Sequence, residues 1–111
     1  MSFQHFFTIE GLSGTLVASE SSIILQNSER VDEPGVPTVY SEGIITNDSD
    51  GANIECYINA NNKPCILKPN ENLEFGFTIT DLKLINLSSE YPAEYRLFLK
   101  RRIEEFVPTT L

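Results

Sequence analysis

The first candidates for reactive residues in this chain are its two cysteines, Cys56 and Cys65. If their strands place them side by side, they can form a disulfide, which tolerates only a narrow range of Cα separations. The alternative, which we favour, is a pair of small buried apolar residues, as free cysteines usually are in a reducing compartment. With one distant histidine they fall short of the four ligands that a structural zinc site needs, so we expect no metal.

His5 is the single histidine of the sequence, and it lies between Gln4 and Phe6 near the amino end. Catalysis by a nucleophilic triad would need it beside an activated serine or cysteine and an orienting acid. The sequence has no Gly-x-Ser-x-Gly nucleophile motif, because residues 11–14 have the wrong spacing. We therefore interpret His5 as an edge-strand residue or a contact in a terminal arm, and we predict no enzyme activity.

Acidic residues suggest two further kinds of site. Residues 48–51 (Asp-Ser-Asp-Gly) are similar to part of a calcium loop, but the EF-hand register would put Thr46 and Tyr57 where acids are required. A turn is the better interpretation of this segment. Paired carboxylates of a small hydrolase or lyase are a third functional hypothesis, since sixteen acids provide many pairs, and it requires acids that converge in a cleft.

Sugar binding is the second functional hypothesis. β domains that bind sugars commonly stack them on Trp or Tyr, and this chain has no Trp but four tyrosines, Tyr40, Tyr57, Tyr91 and Tyr95. A carbohydrate-binding or adhesion module is therefore our alternative to the main interpretation below. Two N-glycosylation sequons, at Asn47 and Asn86, carry little weight because the amino end does not look like an export signal.

Composition places the chain among globular proteins, and the amino end, which does not resemble a secretory signal, favours intracellular synthesis. Hydrophobic residues make up 41% of its 111 residues, enough for one domain with its own core and too many for a disordered chain. No apolar run approaches the roughly 20 residues of a membrane span. Residues 1–62 carry nine acids and one base, whereas residues 63–111 carry seven of each. The net negative charge therefore lies in the first half of the chain. We expect it to keep the protein soluble, or to form an acidic face for a basic partner, and we expect no binding of nucleic acid.

Apolar and polar residues alternate along most of the chain, which is typical of half-buried antiparallel strands. The predicted strands recur about every ten residues, as in sandwiches and barrels. We predict an all-β fold, an antiparallel, jelly-roll-like β-sandwich that forms a single domain over residues 1–111. Gly11 and Gly14 mark a predicted first turn, and residues 27–37 the longest loop. The predicted strands are residues 6–10, 15–19, 22–26, 38–46, 52–59, 64–68, 73–79 and 82–87.

Two details of pairing are predicted from the pattern. A two-residue turn at residues 60–61 would place Cys56 opposite Cys65 and Ile54 opposite Leu67, whereas a turn at residues 61–62 would break this register. Further on, the alternation of apolar residues shifts by one position between two groups of residues. A bulge at residues 80–81 would allow the side chains of both groups to point into the core. The groups are Phe75, Phe77 and Ile79, and Leu82 and Leu84.

The two chain ends are apolar, although chain ends usually fray. Residues 93–99 alternate as a final strand, while Pro92 followed by acids and then bases also fits a helix; we predict the strand. The apolar ends either complete the domain's own core or lie in a partner's groove as short arms. The candidate partner-binding residues are Phe3, Phe6, Phe7, Phe106, Val107 and Leu111.

Five segments of the chain together resemble small β-sandwich structural proteins of tailed bacteriophages. In such proteins a strand with a Thr-Asn turn precedes a hairpin, a Leu-x-Pro-x-Glu turn and closing strands with a Tyr-Arg-hydrophobic run. The resemblance covers about residues 43–99, and its segments are residues 43–48, 54–59, 67–71 (Leu-Lys-Pro-Asn-Glu), 82–85 and 95–97 (Tyr-Arg-Leu). The turn here has Asn70 before Glu71 where Gly-Glu is commoner.

This resemblance implies a non-enzymatic virion structural or assembly protein: capsid decoration, head–tail connection, or tail or fibre attachment. Its implied partners are other virion proteins, namely capsid, connector or tail subunits, and it implies no cofactor, membrane or nucleic acid. The protein would be made in the host cytoplasm and reside in the virion. We expect it to act as a homo-oligomer or in many copies, since closed symmetry is the usual solution for such proteins.

Overall fold

A computed structural model of the chain describes the backbone of residues 2–59 and 63–107, and side chains within residues 9–59 and 63–101. The described backbone forms strands joined by turns and loops, and it contains no helix. The all-β prediction is therefore confirmed. The strands are β1 (Ser2–Leu16), β2 (Ser21–Gln26), β3 (Glu29–Arg30), β4 (Tyr40–Asn47), β5 (Ile54–Ile58), β6 (Cys65–Leu67), β7 (Asn72–Phe75), β8 (Leu82–Asn86) and β9 (Ala93–Val107).

These strands form two antiparallel sheets that pack as a sandwich. The four-stranded sheet has the order β1-β9-β4-β7, and the five-stranded sheet has the order β3-β2-β8-β5-β6. If the two-residue β3 is set aside, the remaining strands follow the order 1-8-3-6 in one sheet and 2-7-4-5 in the other. This is the strand order of a jelly roll, so the predicted topology is confirmed as well.

The core lies between the inner faces of the two sheets, where alternation puts every second side chain. Ile45 on β4 pairs with Leu97 on β9, and both are fully buried. Across the sandwich, Leu84 on β8 pairs with Cys56 on β5, and these are buried too. Each such aliphatic side chain contributes about 1.5–3 kcal/mol on burial, which makes the alternating pattern the main determinant of the fold.

The predicted turn at Gly11 and Gly14 was wrong, because β1 passes straight through both glycines. Gly11 pairs with Phe98 and Gly14 with Tyr95 in the ladder between β1 and β9. At Gly14 the missing side chain is needed for packing, since a Cβ there would collide with the ring and hydroxyl of Tyr95. Gly14 therefore makes room for the Tyr95 side chain of the neighbouring strand, and neither glycine bends β1. The separate predicted strands 6–10 and 15–19 merge into β1, and β3 forms inside the predicted loop 27–37.

The predicted bulge at residues 80–81 was wrong as well. β7 belongs to the four-stranded sheet and β8 to the five-stranded sheet, so the chain crosses from one layer to the other between them. The shift in phase arises from this crossing. Phe75, Ile79 and Leu82 point inward as predicted, but Phe77 lies on the crossing segment and is 53% exposed.

The predictions for the hairpin and for the final strand are confirmed. β5 and β6 pair with Cys56 opposite Cys65 and Ile54 opposite Leu67; the turn residues 60–62 lie outside the described part of the chain. Residues 93–107 form β9, and the alternative helix is absent there. Tyr95, Leu97 and Leu99 face inward on it, as the alternation requires.

The molecule is elongated, with extents of 64 × 24 × 22 Å. The reason is the length of β1 and β9, which pair from Leu16↔Ala93 to Ser2↔Val107, whereas β4 accompanies β9 only as far as Tyr40↔Arg101. The pairs from Phe7↔Arg102 outward thus form a two-stranded ribbon beyond β4. Within the described ranges, no helix is long and apolar enough to cross a membrane.

Candidate interaction surface

The candidate interaction surface is the outer edge of β1 together with the ribbon of residues 2–7 and 102–107. An edge strand presents unpaired N–H and C=O groups, and proteins usually blunt it by shortness, charge, proline or a bulge. In the described sheets, the edge strands β3, β6 and β7 have two, three and four residues. β6 also lies between Pro64 and Pro69. β1 has 15 residues, so its edge is long.

The sequence of β1 carries few of the usual protective features. It contains no proline, lysine or arginine, and its one acid is Glu10. Its pairing with β9 runs without a register shift from end to end. Ile9, an apolar residue on this edge strand, is 75% exposed. The edge is therefore long, regular and close to neutral, which are the properties that allow another strand to add to it.

Where the ribbon leaves the sandwich, Glu10 is held by three side chains. Tyr40 Oη donates to Glu10 Oε2 at 2.6 Å, and Arg101 Nη1 donates to Glu10 Oε1 at 3.1 Å. Arg30 Nη1 lies 3.5 Å from the same Oε2 and also pairs with Asp32. Arg101 reaches further to the carbonyl oxygen of Pro37 at 3.4 Å. This cluster ties β1, β9, β3 and the loop before β4 together at the base of the ribbon.

The electrostatics of the cluster follow from these contacts. Burial raises the pKa of the Glu10 carboxyl, but hydrogen bonds from Tyr40 and Arg101 and the charges of both arginines outweigh it, so the net pKa is lowered. Burial and the hydrogen bond to Glu10 raise the pKa of Tyr40. The carboxylate is therefore charged and the phenol neutral at physiological pH. The acid of β1 is thus compensated within its own chain.

The outer face of the four-stranded sheet continues this surface with apolar side chains. Phe98 on β9 pairs with Gly11 on one side and Ile44 on the other, and Phe98 is 45% exposed. Ile9, Ile44 and Phe98 line a shallow groove. Its rim carries the ion pair between Lys100 Nζ and Glu42 Oε1, 2.7 Å apart.

Five of the six sequence-predicted partner residues lie on this ribbon by backbone register: Phe3, Phe6, Phe7, Phe106 and Val107. The backbone pairs Phe3 with Phe106, Phe6 with Ile103, and Ser2 with Val107. The predicted arms at the two chain ends are therefore neighbouring strands of one ribbon. The side chains of Phe3, Phe6, Phe7, Phe106 and Val107, and all of Leu111, lie outside the described part of the structure. Their contact with a partner stays a prediction, and so does the interpretation of His5.

The two cysteines considered as reactive residues lie within the sheet. Cys56 and Cys65 are free thiols at facing positions, Cys56 buried and Cys65 half-buried. Burial raises the pKa of the Cys56 thiol to about 12, which disfavours the reactive thiolate. Where side chains are described, no three His, Cys, Asp or Glu residues are close enough to hold a metal ion.

The tyrosines considered for sugar stacking are mostly covered. Tyr40 is fully buried in the cluster around Glu10. The ring of Tyr57 lies under the ammonium group of Lys83, 4.5 Å from Nζ to the ring centroid. Tyr95 is half-buried beside Gly14. Tyr91 is 56% exposed and borders a small cleft with Gly51 and residues 87–90.

Both sequon asparagines are buried structural residues, which sequence reasoning missed. Asn86 Nδ2 donates to the carbonyl oxygens of Leu16, Val17 and Tyr91 at 3.2, 3.1 and 2.8 Å, while Asn86 Oδ1 accepts from the N–H of Ser88 at 2.9 Å. Asn47 does the equivalent at the end of β4: its Nδ2 donates to two carbonyl oxygens, and its Oδ1 accepts from the N–H of Ser49.

The Asn-x-Ser spacing gave the signal for this arrangement. An Asn side chain commonly accepts from the N–H two residues on, forming an Asx turn, and both sequons do so here. The predicted turn at residues 48–51 is thereby confirmed, with Ser49 buried inside it. Because both asparagine side chains are at most 1% exposed, neither is available for modification in the folded domain.

No protein-family model and no curated protein matches this chain. The jelly-roll fold and the geometry of the β1 edge and ribbon are therefore the grounds on which a function is assigned.

Proposed function

We propose that this chain is a non-enzymatic virion structural or assembly protein of a tailed bacteriophage, acting through protein–protein contacts. The observation that carries the proposal is the ribbon of β1 and β9, which extends beyond the sandwich with backbone groups left for a neighbour. Strand addition to such an edge is a common mode of assembly. The positions of the apolar chain ends on this ribbon support the same role.

Two further observations support it. Jelly rolls are the fold of many viral capsid domains, although the same fold also serves lectins and other proteins, so the fold is an argument by analogy. The polar residues at the ribbon base are bound to one another: the Glu10 carboxylate, the natural candidate for acid–base chemistry there, already has Tyr40, Arg30 and Arg101 as partners. The cluster is thus suited to holding the ribbon in place.

The decisive experiment is to purify particles of the phage that encodes the chain and to measure its copy number. Density-banded virions are analysed by quantitative mass spectrometry against the major capsid protein. We expect a fixed stoichiometric ratio that persists through repeated banding. The proposal would be refuted if the infected cells contained the folded protein but the banded virions did not.

The ribbon itself is tested by variants that complement a phage lacking the gene. The double variant Phe3→Glu and Phe106→Glu introduces charges at facing ribbon positions. We expect incorporation into particles to fall more than the stability of the fold, as for deletion of residues 1–7 or 106–111. Phe77→Glu, an exposed site away from the ribbon, is the matched control and should be incorporated normally. Normal incorporation of the ribbon variant would count against the proposal.

A carbohydrate-binding or adhesion module is the second candidate, and Tyr91 is the observation that favours it. An exposed aromatic beside a cleft lined by Asn53 and two serines can stack on a sugar ring while the polar groups bind its hydroxyls. Glycan-array binding that is lost in Tyr91→Ala and kept in Phe77→Ala would support this candidate. An array with no bound glycan would remove it.

A further inference from the structure

We propose that the edge of β1 is the contact surface for a second copy of this chain, paired antiparallel to it about a two-fold axis. This inference rests on the proposed function, to which it adds the identity of the first partner. In such a dimer the two four-stranded sheets would join through β1 and its copy into one continuous eight-stranded sheet. Closed two-fold pairing is the commonest symmetry of soluble homo-oligomers.

The unpaired backbone groups of β1 suit an identical partner strand. On a strand that pairs on one side, alternate residues direct their N–H and C=O groups away from the partner. Along the 15 residues of β1 these groups form a regular row, since no register shift interrupts its pairing with β9. An identical strand running antiparallel presents the complementary row. The short edges β3, β6 and β7 cannot offer a comparable ladder.

The charge along the four-stranded sheet favours a copy of this chain over a basic protein as the partner. The strands of the four-stranded sheet carry six acids and four bases, a balance of −2, so most of the chain's charge of −8 lies elsewhere. The acid on β1 itself, Glu10, is bound by Arg101 and Arg30. Two copies therefore meet along β1 without opposing uncompensated carboxylates, and a basic partner would find little to bind there.

Exposed positions on and beside this edge carry apolar side chains. Ile9 is 75% exposed and Phe98, one strand further in, is 45% exposed. Joining two sheets edge to edge brings both copies of such side chains onto one face, where cross-strand apolar pairs stabilise the contact.

Native mass spectrometry and sedimentation of the full chain test the dimer. The double variant Ile9→Lys and Ser13→Lys adds two charges per copy at exposed positions of β1, and we expect the dissociation constant of the dimer to rise about tenfold or more. The control Val31→Lys and Ile66→Lys adds the same charge at exposed sites outside β1 and should dimerise as the wild type does. Both variants lower the net negative charge equally, so a general effect of net repulsion would change both alike.

Cysteine cross-linking locates the axis. In a background with Cys56→Ala and Cys65→Ala, one cysteine is moved through β1 residue by residue, and dissolved oxygen oxidises pairs of thiols to disulfides. We expect a disulfide-linked dimer at one β1 position, the one on the axis, and none for Glu74→Cys on the edge strand β7. A chain that stays monomeric at its solubility limit would overturn the inference, as would cross-links confined to β7.

The outcomes separate this inference from the function it rests on. A monomer that is nevertheless found at fixed stoichiometry in virions would refute the β1 dimer and leave the virion role intact. A β1-linked dimer that is absent from virions would refute the virion role and leave the β1 dimer intact.

Discussion

The side chain of Asn86 forms hydrogen bonds to three backbone segments of the sandwich. Its replacement therefore tests how much these bonds stabilise the fold. Its amide group donates to carbonyl oxygens at the end of β1, in the turn after β1 and in the loop before β9. Asn86→Ala removes these three hydrogen bonds, all made by one amide nitrogen, and the acceptor for the Ser88 N–H. Asn86→Asp keeps the acceptor and replaces the donor with a carboxylate oxygen that faces three carbonyl oxygens.

The magnitude follows from the burial of the orphaned groups. A buried polar group left without a partner costs about 1–3 kcal/mol. The bond to Leu16 is fully buried, whereas the other two are partly buried and can regain water. We therefore expect Asn86→Ala to lower the free energy of unfolding by about 3–4 kcal/mol. Asn86→Asp should cost more at neutral pH, because it buries an unpaired charge, and would remove much of the 5–15 kcal/mol typical of a domain.

Acid should partly rescue Asn86→Asp. Burial and the facing carbonyl oxygens favour the neutral acid, so the pKa of the introduced carboxyl is raised above its unfolded value of about 3.9. Stability of the variant is then greatest below that value and is lost as the pH rises through the folded-state pKa. Urea unfolding followed by circular dichroism at about pH 4 and pH 7 measures both states.

Asn72→Asp, at an exposed position on β7, is the matched control and should differ from wild type by about 0.5 kcal/mol or less. If Asn86→Asp proved as stable as Asn72→Asp at neutral pH, the three hydrogen bonds would not have the role assigned to them here.

Three further perturbations test the core and the ribbon base. Iodoacetamide should modify Cys65 first and Cys56 only after urea is added, because burial raises the pKa of Cys56 to about 12; equal labelling of both thiols in the native protein would contradict this. Glu10→Gln should destabilise the protein at neutral pH. Because the pKa of Glu10 is lowered on folding, its contribution is present above the unfolded value of about 4.5 and is lost as the pH falls through the folded value, so wild type and variant should converge in acid. Gly43→Ala should cost about 1–3 kcal/mol, since its Cβ would lie 2.6 Å from a carbonyl oxygen of β9, whereas Gly76→Ala has open space around it; equal urea midpoints would refute the close approach.

The features that the sequence predicted are those fixed by local pattern. The register of β5 with β6 follows from a short turn and from one apolar face, so the pairing of Cys56 with Cys65 could be predicted within a segment of 14 residues. β9 was predicted as a strand because alternation of period two outweighed the helix-start signal at Pro92. In both cases the burial of one face chooses the structure, and the residues that decide it are close in sequence.

The features that escaped prediction depend on contacts between distant residues. The cluster at the ribbon base joins Glu10, Arg30, Tyr40 and Arg101, which only the folded topology brings together. The exposure of Phe77 depends on where the chain changes sheets, and alternation continues through such a crossing without any signal. The continuity of β1 through its glycines depends on Tyr95, whose ring occupies the space beside Gly14.

The topology also changes the meaning of the two apolar chain ends. In a jelly roll the first and last strands are neighbours in one sheet, so β1 and β9 pair with each other along their whole length. The two ends can therefore complete the chain's own fold and still bind a partner. Each end satisfies the backbone groups of the other on one side and leaves the second side unpaired beyond β4. Because both strands have 15 residues in continuous register, a change in the length of one end alone would strip pairing from the other. The ribbon is therefore a joint product of both termini, and damage to either should disable the same contact.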